Sequence, residues 1–175
     1  MTKRIIVVCP YSKNWPEQFN REAELLRQCF GENAIQVDHI GSTSVPELAA
    51  KPIIDILVEV KSLQLVDTCE SSLAAIGYKA KGENGITGRR YFQKGGNQRS
   101  HHVHVFQSRD DHLIRHRAFK HYLIAHREIA QQYAQIKQTA VQQCNNSIEQ
   151  YMALKNHFIK EHEPKAVNWF KSQHC

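Results

Sequence analysis

A turn of small residues leads into an apolar strand that is interrupted by one carboxylate. Gly41, Ser42 and Thr43 form the predicted turn. Asp55 stands within the apolar run of residues 53–58. Glycine lets a backbone turn closely, and the hydroxyl and N–H groups of such a turn bind anions. Burying an ionised carboxylate costs several kcal/mol unless a metal, a cation or hydrogen bonds compensate. The pattern predicts a phosphate-binding turn beside a strand that carries a buried carboxylate. The alternative is that Asp55 lies at a solvent-exposed end of the strand.

A second strand places two histidines on one face. His102 and His104 alternate with Val103 and Val105, so both imidazoles project to the same side. If this strand lies beside the Asp55 strand, the two histidines complete a single-metal site, take part in proton transfer or bind phosphate directly. A set of two histidines and one carboxylate suits Mn, Fe or Zn better than Mg, which prefers oxygen ligands and water. The alternative is a polar sheet face that contacts only substrate or water.

Two cations and one histidine near these strands are further candidates for phosphate binding. Lys51 lies just before the Asp55 strand, where its charge can neutralise a phosphate. Arg90 precedes a predicted hairpin turn at residues 95–97 and is the preferred phosphate clamp, with the neighbouring basic residues predicted to be solvated. His39 lies two positions before the turn glycine. It is predicted either to contact substrate at the rim of the pocket or to be a buried histidine whose hydrogen bonds are satisfied within the protein.

Lys137 and Lys155 are candidates from the second half of the chain. Each follows a tyrosine by four positions on a predicted helix, so each shares a helix face with an aromatic ring. From such a face a lysine can reach inward to a phosphate. The alternative is that the aromatic stripe, with Tyr133 and Tyr151, belongs to the core.

The organisation of the chain predicts an α+β fold in one domain, residues 1–175. Residues 1–109 contain the strand-like runs and form the predicted sheet-containing part. Residues 110–175 show helical periodicity throughout. Helices are predicted over the following ranges: 16–30, 113–125, 129–142, 148–160, and a short piece at 166–170 after Pro164.

Composition and charge limit the kinds of ligand and the cellular location that are expected for this chain. The net charge of +6 is spread among acidic residues and glutamines rather than gathered in a basic arm, so a small anionic ligand is predicted and nucleic acid is not. The five cysteines contain no Cys-x-x-Cys pair, which is typical of neither a disulfide framework nor a structural zinc site. The apolar run at residues 5–8 is too short for a signal peptide or membrane span, so a cytoplasmic location is predicted. No protein partner can be deduced.

The motifs resemble those of the GrpB family within the nucleotidyltransferase superfamily. The resemblance rests on His-Ile-Gly-Ser-Thr-Ser-Val-Pro at residues 39–46 and Lys-Pro-Ile-Ile-Asp at residues 51–55, and extends over nearly the whole chain. It implies a mixed β-sheet of nucleotidyltransferase type packed with helices, with a helical C-terminal half. The chain departs from the family at Glu47, where the family usually has Gly, and from the superfamily at Leu57, where catalytic members have a second metal-binding carboxylate.

Two functions follow from this resemblance. The first is a nucleotidyltransferase that acts on a small phosphorylated or nucleotide ligand with a divalent metal, Mg or Mn and possibly Zn. In that enzyme Asp55, His102 and His104 would be the catalytic and metal-binding residues. The second is a non-catalytic nucleotide- or phosphate-binding accessory module that has lost the second carboxylate.

Overall fold

A five-stranded mixed β-sheet forms the centre of the molecule. This computed structural model describes residues 5–174. The strand order is β1-β2-β5-β4-β3, with β2 and β5 parallel and the other neighbours antiparallel. The strands are β1 (Ala34–Ile40), β2 (Ile54–Val60), β3 (Tyr78–Ala80), β4 (Arg89–Lys94) and β5 (His101–Gln107).

Helices cover both faces of the sheet. They are α1 (Trp15–Phe30), α2 (Leu63–Asp67), α3 (Glu70–Ala75), α4 (Asp111–Ala125), α5 (Arg127–Gln143) and α6 (Ile148–His174). This arrangement confirms the predicted α+β class with a helical C-terminal half. Among the described residues, no helix is both long and apolar enough to cross a membrane.

Alternation along β2 and β5 separates the core from the pocket. Ile56 of β2 pairs with Val103 of β5, and both are fully buried in the core that α1 covers. Asp55 pairs with His102 on the other face, in the same parallel ladder. The His102 strand therefore lies directly beside the Asp55 strand, as a site that joins the two requires. Leu57 shares the Asp55 face and is also fully buried.

The last helix differs from its prediction. The sequence predicts that Pro164 separates two helical pieces, yet α6 runs without a break from Ile148 to His174. A proline removes one backbone hydrogen bond inside a helix. Pro164 is exposed, so water can reach the carbonyl that loses its partner, while Phe158 and Ala166 are buried on either side of it. Their packing holds the helix together through the proline.

Candidate functional site

A cavity of about 500 Å³ lies between the Asp55 face of the sheet and helices α4–α6. Alternate strand residues form its floor: Arg89, Tyr91, Asp55, His102 and His104. The turn after β1 and side chains of the three helices form its walls. The structure brings together most of the residues predicted from the sequence: Gly41, Ser42, Thr43, Lys51, Asp55, His102, His104, Lys137 and Lys155.

Gly41 brings the turn into contact with Asp55. Its φ of 73° and ψ of −173° lie in a region that side chains other than glycine avoid. A Cβ atom at this position would lie 2.8 Å from Asp55 Oδ2. The next residues, Ser42–Ser44, form a tight 3₁₀ turn at the cavity wall. Backbone conformation and space therefore both require glycine here.

Gly41→Ala should cost more stability than Gly31→Ala. Gly31 has a similar backbone conformation, with φ 57° and ψ −136°, but a Cβ atom added there would meet nothing within 4 Å. Strain alone should cost the Gly31 variant about 1–3 kcal/mol of the free energy of unfolding, and displacement of Asp55 should add roughly 1 kcal/mol or more at Gly41. Urea unfolding of both variants measures the difference. Equal losses would mean that the turn is not pressed against Asp55.

Two imidazoles converge on the carboxylate of Asp55. His102 Nδ1 lies 3.4 Å and His104 Nε2 lies 3.3 Å from the same oxygen, Oδ1. Burial alone raises the pKa of Asp55, but hydrogen bonds and charge from the two histidines outweigh it and hold the pKa well below its ordinary value. Burial is the main reason that the pKa of His104 is lowered. At neutral pH the pocket therefore holds an ionised carboxylate beside an uncharged His104 ring.

Arg89 fixes the tautomer of His104. Its Nη1 lies 3.3 Å from His104 Nδ1, and a guanidinium group can only donate. The Nδ1 atom must accept, which leaves the proton on Nε2, where it points to Asp55. Arg89 also donates to the carbonyls of Glu83 and Asn84, at 3.1 and 2.7 Å, and is buried. The Arg89, His104 and Asp55 side chains form one ordered chain of hydrogen bonds.

A second arginine and a second histidine, both on α4, lie beside the polar side chains of the cavity floor. Arg115 Nη2 lies 3.3 Å from His116 Nε2, while its Nη1 pairs with Glu163 at 3.2 Å. The His116 ring lies 5.3 Å from that of His104, and burial lowers its pKa well below the ordinary value. Sequence reasoning missed this pair. Both residues lie on α4, and nothing local in the sequence shows which face of that helix meets the sheet.

The three predicted metal ligands do not fit a resident divalent ion in this arrangement. Asp55, His102 and His104 meet, but their polar atoms point at one another, and both nitrogens of His104 already have partners. Leu57, at the position of the missing second carboxylate, is packed against other apolar side chains. Within residues 5–174, no group of three or more His, Cys, Asp or Glu side chains is placed to hold a metal. The Mg, Mn or Zn site stays a prediction.

Lys137 is buried in the helical wall of the cavity. Its side chain is 1% exposed, and its Nζ atom donates to the carbonyl of Ala49 at 2.5 Å. The same atom lies 4.6 Å from the centre of the Tyr133 ring. Burial, together with the charges of Lys155 and Lys51, lowers the pKa of Lys137 to about 6. This amine is therefore largely uncharged at neutral pH.

Two further lysines surround a second tyrosine. The Nζ atoms of Lys51 and Lys155 lie 4.7 and 6.0 Å from the centre of the Tyr151 ring. Burial works against the charge of Lys155, but Tyr133, Tyr151 and Asp55 outweigh it and raise its pKa above the ordinary value. Lys51, Lys137 and Lys155 are called the lysine cluster below. The cluster places positive charge at the end of the cavity formed by α5, α6 and the segment before β2.

Arg90 does not form the predicted phosphate clamp. It lies on the opposite face of β4, where its Nε atom pairs with Asp67 of α2 at 2.8 Å. Arg89, its neighbour, faces the cavity instead. The prediction has the right strand and the wrong face, because successive residues of a strand point to opposite sides.

His39 supports the turn rather than lining the cavity. It is 8% exposed, its Nε2 atom lies 2.9 Å from Thr43 Oγ1, and its ring stacks on that of Phe19 at 4.9 Å. Burial, with a smaller effect from Lys120, lowers its pKa to about 4. Of the two interpretations of this residue, the structure supports the satisfied buried histidine and not the substrate contact.

Known proteins are similar to this chain in sequence. A family model described as GrpB protein matches residues 5–165. The UPF0157 protein YqkA of Bacillus subtilis is 46% identical over 171 residues, which are 98% of this chain and 50% of that protein. The chain thus spans about half the length of this relative.

Two solved structures are similar in fold. The conserved protein GrpB from Enterococcus faecalis has a TM-score of 0.90 and 44% identity, with 94% of this chain and 99% of that chain covered. The Cid1 poly(U) polymerase with bound Mg and 3′-dATP has a TM-score of 0.59 and 14% identity, with 84% of this chain and 49% of that chain covered. At this low identity the second likeness shows a shared nucleotidyltransferase-like fold and nothing further.

Proposed function

This chain belongs to the GrpB family, and from that premise we propose that its cavity binds a nucleotide or another small phosphorylated molecule. The phosphate groups would lie between the turn at Gly41 and Ser42 and the lysine cluster. Arg89 and Arg115 line the same cavity and would supply further donors. The bound nucleotide in the Cid1 structure supports the proposal by analogy of fold only.

The lysine cluster is the observation that carries this proposal. Lys155 and Lys51 lower the pKa of Lys137 by charge repulsion, after burial itself. Burying the Lys137 amine near two other, half-buried lysines is unfavourable unless an anion compensates. A phosphate group between them would replace repulsion with attraction and would favour the protonated form of Lys137. The arrangement is therefore more favourable with an anionic ligand than without one.

Transfer of a nucleotidyl or phosphoryl group is a second candidate, which the geometry at His102 favours. Its Nδ1 atom faces Asp55, and its buried Nε2 atom has no hydrogen-bond partner among the described residues. If a bound acceptor hydroxyl reached this atom, Nε2 would accept its proton while the acceptor oxygen bonds to phosphorus and the bond from phosphorus to the leaving group breaks. An accessory module that binds without transfer would have the same cavity and no product.

Ligand-induced stabilisation tests the binding proposal. We expect tripolyphosphate and nucleoside triphosphates to raise the melting temperature, with a stabilisation of about 2.7 kcal/mol at about one hundred times the dissociation constant. Each ligand is measured with and without Mg or Mn, which also tests the metal prediction. Free phosphate or the nucleoside alone should have smaller effects.

Lys155→Met should weaken this binding by about ten- to one hundredfold, the usual cost of losing a charged hydrogen bond. Lys160→Met is the matched control, because Lys160 is exposed on the same helix and lies outside the cavity. Its affinity should equal that of the wild type. Equal affinity in both variants would contradict the assignment of the phosphate site to the lysine cluster.

A further inference from the structure

An apolar groove of about 430 Å³ adjoins the phosphate cavity. Its walls come from three segments that are distant in sequence: the amino-terminal segment, the residues before β2 and the start of α6. The apolar residues that line it are Ile5, Ile6, Val7, Pro52, Ile53 and Ile148. Lys51 and Ile53 line both the groove and the phosphate cavity, so the two spaces meet at the lysine cluster.

Large apolar side chains in this groove are exposed to water. Ile5 is 75% exposed, Val7 46% and Ile148 38%. Single exposed apolar residues are common on protein surfaces, but a contiguous group of them often marks a binding site. Covering this group with an apolar ligand would remove it from water, which is favourable in proportion to the apolar area that is buried.

The hairpin between β4 and β5 closes one side of the groove with polar side chains. Asn97, Gln98 and Arg99 lie there. The Nε–H group of Arg99 is buried and has no hydrogen-bond partner among the described residues. A buried donor of this kind is costly unless a partner arrives. An oxygen within a ligand that lies along the groove would supply one.

We propose that the groove binds the apolar arm of the same molecule whose phosphate groups occupy the lysine cluster, which makes the ligand an amphipathic phosphate ester. This inference rests on the proposed phosphate site and names the chemical class of its ligand. Lys51 is the junction, since it lines both spaces. The phosphate end is held by charge and the arm by burial of apolar surface, with Arg99 available to an ether or carbonyl oxygen of the arm.

A comparison of ethyl phosphate with hexyl phosphate tests the groove. The two probes share one head group and differ by four methylenes, each worth roughly threefold to fourfold in affinity when fully buried. We expect hexyl phosphate to bind the full chain at least about tenfold more tightly than ethyl phosphate. Calorimetric titration measures both dissociation constants. If ethyl phosphate binds and hexyl phosphate binds no more tightly, the groove proposal fails while the phosphate site stands. If neither probe binds, the phosphate site itself is wrong.

Ile148→Ser is the variant that assigns the effect to the groove. It should leave the affinity for ethyl phosphate unchanged and reduce severalfold the ratio by which hexyl phosphate binds more tightly than ethyl phosphate, called the hexyl advantage. Leu154→Ser is the matched control, because Leu154 is 39% exposed on the same helix and lies outside the groove. Its hexyl advantage should equal that of the wild type. If Ile148→Ser keeps the full ratio of hexyl to ethyl phosphate affinity, the proposal is overturned. It is also overturned if Ile148→Ser changes only the oligomeric state, because the groove would then be an interface between two copies of the chain.

Discussion

Lys137→Met should raise the free energy of unfolding of the ligand-free protein at neutral pH by roughly 2 kcal/mol. Burial lowers the pKa of Lys137 to about 6, so folding at neutral pH has to remove a proton that the unfolded chain retains. Each pKa unit corresponds to about 1.4 kcal/mol. Methionine is of similar length and carries no charge. The substitution removes the hydrogen bond to the Ala49 carbonyl, which costs about 1–3 kcal/mol of stability. This loss is smaller than the free energy that folding spends on removing the proton from Lys137 at neutral pH.

The pH dependence of this difference has a fixed sign. Between the lowered pKa of Lys137, about 6, and the ordinary lysine pKa, the unfolded chain binds more protons than the native chain. The contribution of Lys137 therefore makes the free energy of unfolding rise with pH in that interval. Methionine has no such contribution. The advantage of Lys137→Met should therefore shrink as the pH rises from about 6 to about 9.

Urea unfolding of both proteins across this interval measures the effect. Lys160→Met, at an exposed position, should run parallel to the wild type at every pH. A destabilised Lys137→Met variant, or an advantage that does not change with pH, would contradict an uncharged Lys137 in the native state. The same variant should bind tripolyphosphate about tenfold or more weakly, because one charged hydrogen bond to the ligand is lost.

Asp55→Asn should destabilise the protein by roughly 2–4 kcal/mol at neutral pH. Both imidazoles lie against the same charged oxygen, Oδ1, and the neutral oxygen of an asparagine amide accepts hydrogen bonds more weakly and carries no negative charge. Because the native pKa of Asp55 is depressed, its contribution is present above the ordinary carboxyl pKa and is lost as the pH falls through the lower native value. The gap between the two proteins should narrow in acid.

Asp67→Asn is the control for that variant. Asp67 also pairs with a basic group, Arg90, but its side chain is 53% exposed, so its removal should cost less than about 1 kcal/mol. Denaturant unfolding at neutral and acid pH separates the two cases. Equal losses would mean that the Asp55 cluster contributes no more than a surface ion pair.

Asp55→Asn also distinguishes transfer from binding. If the cavity transfers a group, product formation should fall by about one hundredfold or more, since the ring of His102 loses its orienting carboxylate. Binding of tripolyphosphate should stay the same or tighten, because a negative charge leaves the cavity. Undiminished product formation would reject a catalytic role for Asp55.

The Gly41 turn, Asp55 and the two histidines could each be singled out from the sequence, while the placement of the histidine strand against the Asp55 strand came from the family resemblance. A glycine followed by hydroxyl residues, a carboxylate in an apolar strand and alternation in the second strand are local signals that survive folding. Asp55 and His102 are direct neighbours in the sheet. The lysines of α5 and α6 could also be placed, because each shares a helix face with a tyrosine.

The arginines were harder to predict for a physical reason. Arg89 and Arg90 are adjacent on β4, and a shift of one position exchanges the cavity face for the α2 face. Arg115 and His116 depend on how α4 is rotated against the sheet, which tertiary packing decides. Pro164 signals a helix end locally, but its exposure and the packing on both sides allow α6 to continue. Local rules failed where long-range contacts decide the outcome.

The most direct test of the phosphate site is the number of protons taken up when sulfate binds at neutral pH. Sulfate has the shape and charge of a phosphate group but does not titrate in this range, so proton uptake reports on the protein. Titration calorimetry in two buffers of different ionisation enthalpy counts the protons. The lysine cluster predicts uptake of most of one proton, because sulfate between the lysines would raise the pKa of Lys137 from about 6. Sulfate that binds without proton uptake, or no binding at all, would contradict a phosphate site built on Lys51, Lys137 and Lys155.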